Sequence, residues 1–243
     1  MARPSDGERS RAVRTIALVP AAGRGVRMGG GTPKQFLTLG GLPVLVHCLR
    51  VLESSESVEA VVLAVPEADR EFCLRDIVSR HGFAKVTQVV PGGAQRQDSV
   101  RLGLAAVDEA ADLVLVHDAV RPFFTADLVN RTVAKAAEHG AAIAAIPMRD
   151  TVKCVGADNL VESTIDRHRL WLAQTPQVFR RALLEEAHLK AQADGFQATD
   201  DAQLVERLGH RVAIVEGTGE NIKITRPEDL ALGEAIFAAK RGT

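Results

Sequence analysis

Cysteine is scarce in this chain. Cys48, Cys73 and Cys154 are odd in number, far apart and outside any CxxC pair, which counts against a disulfide framework and a zinc site and suits a reducing cytoplasm. Long apolar runs are missing too, none approaching the roughly 18 residues of a membrane span. The stretch from Met1 to Arg14 has no apolar core of a secretory signal and sets Arg3, Arg9, Arg11 and Arg14 among Asp6 and Glu8. It reads as a disordered leader, a transit peptide being disfavoured by those acidic residues. Neither sign of charge prevails: 30 Lys and Arg face 31 Asp and Glu, for a formal net charge of -1. No global field therefore draws the chain to nucleic acid or to an anionic membrane, and any anion site has to be built locally. Histidines at 47, 81, 117, 139, 168, 188 and 210 show no metal spacing, and no Ser-His-Asp or Cys-His constellation stands out. Trp171, the one tryptophan, is assigned to packing.

What remains is an ordinary globular composition, 46% hydrophobic and 25% charged over 243 residues, which fits one α/β domain over residues 15–240. Thr15 to Pro20, Glu59 to Val65, Lys85 to Val90, Asp112 to His117 and Ala141 to Pro147 read as buried strands. Helical patterns over 43–53, 69–80, 98–110 and 125–138 separate them. Unbroken Val, Ile and Leu runs mark strands covered on both faces, so the fold class is α/β, a Rossmann-like, mostly parallel sheet with helices on both faces. After Pro147 the rhythm changes. Arg149 to Val155 and Leu160 to Ile165 flank the turn signal Gly156-Ala-Asp-Asn159, predicting a projecting β-arm over about 149–170. A strand over Leu172 to Phe179, helices from Arg180 and near Thr199, a strand at Arg211 to Val215 and a closing helix at Pro227 follow.

The chemistry lies in the loops. Pro20-Ala-Ala-Gly-Arg-Gly-Val-Arg-Met28, then Gly29-Gly-Gly-Thr-Pro-Lys34, puts small residues and three cations, Arg24, Arg27 and Lys34, directly after a buried strand. Successive amides there make an anion-binding concavity. Met28 stands at the third glycine of a GxGxxG fingerprint and no GxxxxGK[ST] string occurs, which excludes a P-loop and weakens a dinucleotide site. Gly29, Gly30 and Gly31 predict a mobile lid. A second loop, Pro91-Gly-Gly-Ala-Gln-Arg-Gln-Asp-Ser99, also follows a strand, although Asp98 and Ser99 equally suit a helix cap. In His117-Asp-Ala-Val-Arg-Pro122, Asp118 suits a magnesium or ribose ligand, or an ion pair with Arg121. Lys223 in Asn221-Ile-Lys-Ile-Thr225 is, by composition, an ordinary surface cation in a strand-like run.

Seven ordered blocks carry a resemblance: PAAGRGVRMGGGTPKQFL, GGAQRQDSV, VHDAVRP, RDTVK, DRHRLW, TPQVF and NIKITRPEDL. From about Thr15 to Lys240 the chain resembles the 2-C-methyl-D-erythritol 4-phosphate cytidylyltransferases of the non-mevalonate isoprenoid pathway. The resemblance implies that Ala21, Ala22, Gly23 and Gly25 cradle CTP, with Arg27 and Lys34 on its phosphates. It implies that Gly93 and Ser99 read cytosine, that Asp118 and Ala119 lie near the ribose and reacting phosphates, and that Lys223 sits at the α-phosphate. Arg27, Lys34 and Lys223 are thus the catalytic set. Arg121, Thr151 and Arg167 match the acceptor contacts, the last two reaching across a homodimer made by the arm. Magnesium is the implied cofactor, held mostly by CTP phosphates with Asp118 as a candidate ligand. Val120 departs from the alanine expected in its block, its extra methyls implying only a repacked loop.

The missing nucleophile accords with this chemistry, because the attacking group is itself a phosphate monoester, largely ionised at neutral pH. Two readings compete with it. A ribitol-5-phosphate cytidylyltransferase has similar glycine loops and differs in its acceptor contacts. A noncatalytic nucleotide-binding module keeps the cradle without turnover.

Overall fold

The computed structural model of the chain describes residues 13–23 and 33–241. The leader up to Ala12, and Arg24, Gly25, Arg27 and the Gly29 to Gly31 lid with them, lie outside the described residues.

Seven strands form one sheet: β1 (Thr15–Pro20), β4 (Ala60–Val65), β5 (Val86–Pro91), β6 (Leu113–Val116), β7 (Ala141–Pro147), β10 (Trp171–Arg180) and β11 (Ala213–Glu216). The order across it is β11-β7-β10-β6-β1-β4-β5. β1 is parallel to β4 and β6, β4 to β5, and β11 to β7. Alternate side chains of β1 serve opposite layers, which is why its run is unbroken. Ala17 and Val19 join the core under α1 (Val44–Ser54) and α4 (Ala126–His139), while Ile16 and Leu18 join the core under α3 (Arg96–Leu104), α5 (Arg181–Ala193) and α6 (Asp201–Arg207). Each fully buried Val or Leu contributes roughly 1.5–3 kcal/mol to holding the layers together. Near Leu39, in the short pair β2 (Thr38–Leu39) and β3 (Leu42–Pro43), a smaller cluster of Val44, Phe123 and Ile224 packs against Leu230 and Phe237 of α7 (Pro227–Arg241).

The departures from the predicted elements have local causes. β10 runs antiparallel to both β6 and β7, because the chain returns from the arm without a crossover helix. Its register shifts between Ala173 and Gln177, around Pro176, which has no N–H for the ladder. α3 starts at Arg96 rather than 98, since the Asp98 carboxylate accepts from the Gln95 N–H and closes the first turn early. It ends at Leu104 rather than 110, in tightened turns where Ala106 N–H donates to Gly103 O and Val107 N–H to Leu104 O. The segment over 69–80 begins as α2 (Arg70–Phe72) and widens over Cys73–Ser79. Lys223 lies outside any strand, in chain without regular secondary structure.

The arm is a two-stranded hairpin of β8 (Val152–Val155) and β9 (Val161–Ile165), turning at Asn159 with φ +62°. Leu160 and Val161 are 66% and 61% exposed. Trp171 does not pack as assigned. It is 41% exposed, because it pairs with Pro147 where the arm leaves the sheet rather than beneath a helix.

Candidate active site

The loops after β1, β5 and β6 all leave the carboxyl edge of the sheet. β1 leads to β4 on one side while β6 lies on the other, so this edge contains the switch point at which open α/β sheets bind ligands. The first two loops touch. A Cβ added at Gly92 would lie 2.3 Å from the Ala22 Cβ, and one at Gly93 would lie 2.2 Å from the Asp98 Cβ, so glycine is what lets the loops approach. Gln35, 2% exposed, donates its Nε2 to the Ala21 carbonyl at 2.6 Å and ties down the start of the first loop. The Ser99 hydroxyl accepts from Gly93 N–H at 3.1 Å and donates to Gln95 O at 3.0 Å, locking the second loop onto α3.

Between these loops and β10 sits a compact ionic cluster. The Asp118 carboxylate, 8% exposed, receives Arg96 Nε at 2.8 Å on Oδ1 and Lys223 Nζ at 2.8 Å on Oδ2, with Arg121 Nε at 3.7 Å. Arg96 reaches the other way to Asp201 Oδ2 at 2.7 Å, and His188 Nε2 lies 3.1 Å from Asp201 Oδ1. Burial opposes ionisation of Asp118, but Arg96 and Lys223 outweigh it and hold the carboxyl well below the usual range. Asp201 is likewise held low, Arg96 and His188 overcoming its burial. Lys223 is aimed by its neighbours in the chain. Buried Asn221 donates to Gln174 Oε1 and Thr175 O, and Ile224 N–H donates to Val120 O at 2.9 Å, so the backbone is pinned on both sides of the lysine. Val120 also packs into the Leu39, Phe123 and Ile224 cluster, which is where its extra methyls go.

His117, fully buried, sets the position of Asp118. Its Nε2 is 3.0 Å from the Arg121 carbonyl, which only accepts, so Nε2 carries the proton and Nδ1 accepts from the Thr175 hydroxyl at 3.0 Å. Thr175 Oγ1 in turn accepts from the Asp118 N–H at 3.1 Å. The ring also stacks on Phe124 at 3.6 Å. Burial pushes the imidazole down to about 4 from its ordinary 6.5. The unfolded chain therefore takes up this proton first on acidification. The contribution of neutral His117 is complete above about pH 6.5 and is lost as pH falls towards 4, by about 3 kcal/mol in all. Urea unfolding at several pH values should show that slope, and His117→Gln should flatten it; an equal slope in the variant would assign the acid sensitivity elsewhere.

Two cavities, of about 170 and 220 Å³, open on either side of this cluster and share Arg96, Asp118 and Lys223 as a common wall. Ala21, Ala22, Gly23, Lys34, Gly93, Ser99 and Ala119 border the first, and Arg121 borders the second. Thr151 and Arg167 border neither, lying exposed at the base of the arm, where Arg167 donates to the Arg149 carbonyl. Asp118 pairs with Arg121 as one expectation held, yet its shorter partners are Arg96 and Lys223. Sequence reasoning missed Arg96, Asp201, Thr175 and Gln35. Arg96 stands in the quoted second loop, but nothing local separates it from Gln95 and Gln97; its role is visible only once α6 and β6 converge on it. Among the described residues no three His, Cys, Asp or Glu side chains gather to hold a metal.

Glycine-lined loops meeting an ionic cluster at the switch point of a mostly parallel sheet define a class: an α/β protein of the nucleotidyltransferase type. The profile described as IspD, 2-C-methyl-D-erythritol 4-phosphate cytidylyltransferase, matches residues 15–239. The chain is 48% identical over 228 residues to the 2-C-methyl-D-erythritol 4-phosphate cytidylyltransferase of Geobacter metallireducens, covering 93% of this chain and 98% of that one. Among solved structures it superposes on 4-diphosphocytidyl-2C-methyl-D-erythritol synthase from Anaerococcus prevotii with a TM-score of 0.84 at 31% identity, over 93% of this chain and 97% of that one. The 2-C-methyl-D-erythritol 4-phosphate cytidylyltransferase from Thermus thermophilus gives a TM-score of 0.75 at 36% identity, over 92% and 98%. The chain belongs to the 2-C-methyl-D-erythritol 4-phosphate cytidylyltransferase family and is a cytidylyltransferase. No described helix is long and apolar enough to cross a membrane.

Proposed function

We propose that this chain transfers the cytidylyl group of CTP to 2-C-methyl-D-erythritol 4-phosphate in isoprenoid precursor synthesis, by direct in-line attack at the cleft described above. An oxygen of the acceptor phosphate forms a bond to the CTP α-phosphorus as the bond from that phosphorus to the β-phosphate oxygen breaks, giving 4-diphosphocytidyl-2-C-methyl-D-erythritol and pyrophosphate. The observation that carries this reading is Lys223, with Arg96 and Asp118, in the wall between two cavities: a cation at that place faces both anions that must meet. The work is alignment and charge stabilisation, so no protein nucleophile is required.

In this reading Ala21, Ala22, Gly23 and Gly25 cradle the nucleotide, Gly93 and Ser99 face its base, and Asp118 and Ala119 lie by its ribose and phosphates. Arg27 and Lys34 hold the phosphate chain, and Lys223 meets the α-phosphate. Arg121 takes the acceptor phosphate. Magnesium fits only as an ion brought with the nucleotide: among the described residues Asp118 is the one carboxylate bordering the first cavity, and a hard cation needs about six oxygens. Bound there, it would neutralise charge on the triphosphate.

A homodimer through the arm supplies Thr151 and Arg167 to the partner's cleft; Leu160, Val161 and Ile165, left exposed by the described residues, support it. Leu160→Asp with Val161→Asp is expected to halve the mass measured by light scattering and to raise the KM for the acceptor. Unchanged mass would remove the arm from the interface. Work in the cytoplasm accords with three unpaired thiols.

The test is pyrophosphate release with CTP and magnesium, comparing 2-C-methyl-D-erythritol 4-phosphate, ribitol 5-phosphate and no acceptor. Strong preference for the first is the expected result. Preference for ribitol phosphate would overturn the acceptor, and binding of CTP with no release in any arm would overturn catalysis.

A further inference from the structure

The ionic cluster does not end at the cleft. Lys223 Nζ is held by Asp118 Oδ2 at 2.8 Å, Asp118 Oδ1 by Arg96 Nε at 2.8 Å, Arg96 Nη1 by Asp201 Oδ2 at 2.7 Å, and Asp201 Oδ1 by His188 Nε2 at 3.1 Å. Each carboxylate spends one oxygen on each side, so the groups follow one another in a line, with Arg121 Nε beside Asp118 Oδ2 at 3.7 Å as a looser branch. The far end is deeply buried: His188 is 2% exposed on α5 and Asp201 is 1% exposed at the start of α6. Neither borders the first or the second cavity. Two buried polar atoms on this line, Arg96 Nη2 and His188 Nδ1, have no hydrogen-bond partner among the described residues, so Arg96 is fixed there through its two carboxylates.

A buried ion network is a poor way to gain stability, since well-packed apolar side chains of similar volume often do as well or better. It is a good way to hold a charged head in one place. Arg96 has a flexible stem, and Asp118 alone offers it one contact; Asp201, oriented by His188, supplies the second and leaves the guanidinium one orientation. With Arg96 so placed, Oδ2 of Asp118 faces Lys223.

We propose that Asp201 and His188 are positioning residues for cytidylyl transfer, acting through Arg96 and Asp118 to hold Lys223 at the reacting phosphate. This rests on the assignment of Lys223 under the proposed reaction. Neither residue touches substrate. Their loss is felt as misplacement of the Lys223 ammonium, in turnover more than in binding.

The experiment is a double-mutant cycle on the full-length enzyme, with kcat expressed per folded molecule counted by CTP-binding stoichiometry. Asp201→Asn is expected to lower kcat roughly tenfold while the KM for CTP moves less than about threefold, in line with the cost of displacing a catalytic group by a fraction of an ångström. In a Lys223→Met background the same change is expected to cost less than about twofold, because the group it positions is gone. His188→Leu repeats the pattern at smaller amplitude, and His188→Gln, whose amide N–H reaches the place of Nε2, is expected to recover most of that loss. His188→Leu also carries the test if Asp201→Asn does not fold. An undiminished effect of Asp201→Asn in the Lys223→Met background, or an unchanged kcat per folded molecule, overturns the relay and leaves the catalytic assignment standing. Full turnover by Lys223→Met itself overturns the assignment beneath it.

Discussion

Replacing Lys223 by methionine is expected to lower turnover by about 100-fold and to shift the melting temperature by less than about 3 °C. The two effects separate because different parts of the residue do different things. Its backbone is pinned by Asn221 and by the Ile224 to Val120 hydrogen bond, neither of which involves the ammonium. The side chain is 39% exposed, and a half-exposed ion pair with Asp118 contributes only about 0–1 kcal/mol. Asp118 keeps Arg96 when the lysine is gone. Under the proposed reaction the same ammonium faces charge moving on to pyrophosphate, where a unit pair at about 4 Å is worth up to about 4 kcal/mol at an effective dielectric of 20. Pyrophosphate release and a thermal melt on the same preparation check it. Near-normal turnover would remove Lys223 from the catalytic set, and a collapsed melt would make it structural.

Arg96→Met should do the opposite, lowering stability by about 3–5 kcal/mol, the cost of leaving buried charge without its partner. Arg96 is shared by two carboxylates that are 8% and 1% exposed, and Asp201 is left with His188 alone. The pH dependence follows from the direction of the shifts. In the native chain both carboxyls are held below their ordinary value, so their stabilisation is present above that value and is lost as pH falls through the depressed one. Without the guanidinium, burial dominates at Asp201 and its carboxyl moves up. The variant then gains on the native protein as pH falls from neutrality, so the stability gap should narrow towards pH 5. Urea titrations of both proteins at pH 7.5 and pH 5 measure it, and a gap that widened on acidification would show that the desolvated carboxylates are not its source. Arg96→Lys should recover only part of the loss, since an ammonium cannot present two edges to two carboxylates.

The sheet was legible because its strands are hydrophobic on both faces. Runs such as Ala60–Val65 have no amphipathic reading other than burial between two helical layers, and the glycine loops announce themselves by following such runs. The arm was legible through Asn159, which takes the positive φ that its turn demands. The antiparallel entry of β10 was not, since nothing in Trp171–Arg180 tells a strand which neighbours it will find. Trp171 was misread for a related reason: a large ring usually packs, and only the place where the arm departs leaves this one 41% exposed.

By itself the sequence determined the layered α/β architecture, the three loops at one sheet edge and, through seven ordered blocks, the family. These depend on local patterns, namely hydrophobic period, glycine placement and spacing along the chain. Tertiary structure alone decided which charges meet. Arg96, Asp118, Asp201 and Lys223 are spread over more than a hundred residues, and nothing local to Arg96 or Asp201 marks either as a partner of Asp118 and Lys223. They form one line because β6 ends, and α3 and α6 begin, beside the chain that leads into α7, and buried charges there are tolerable only when each finds an opposite.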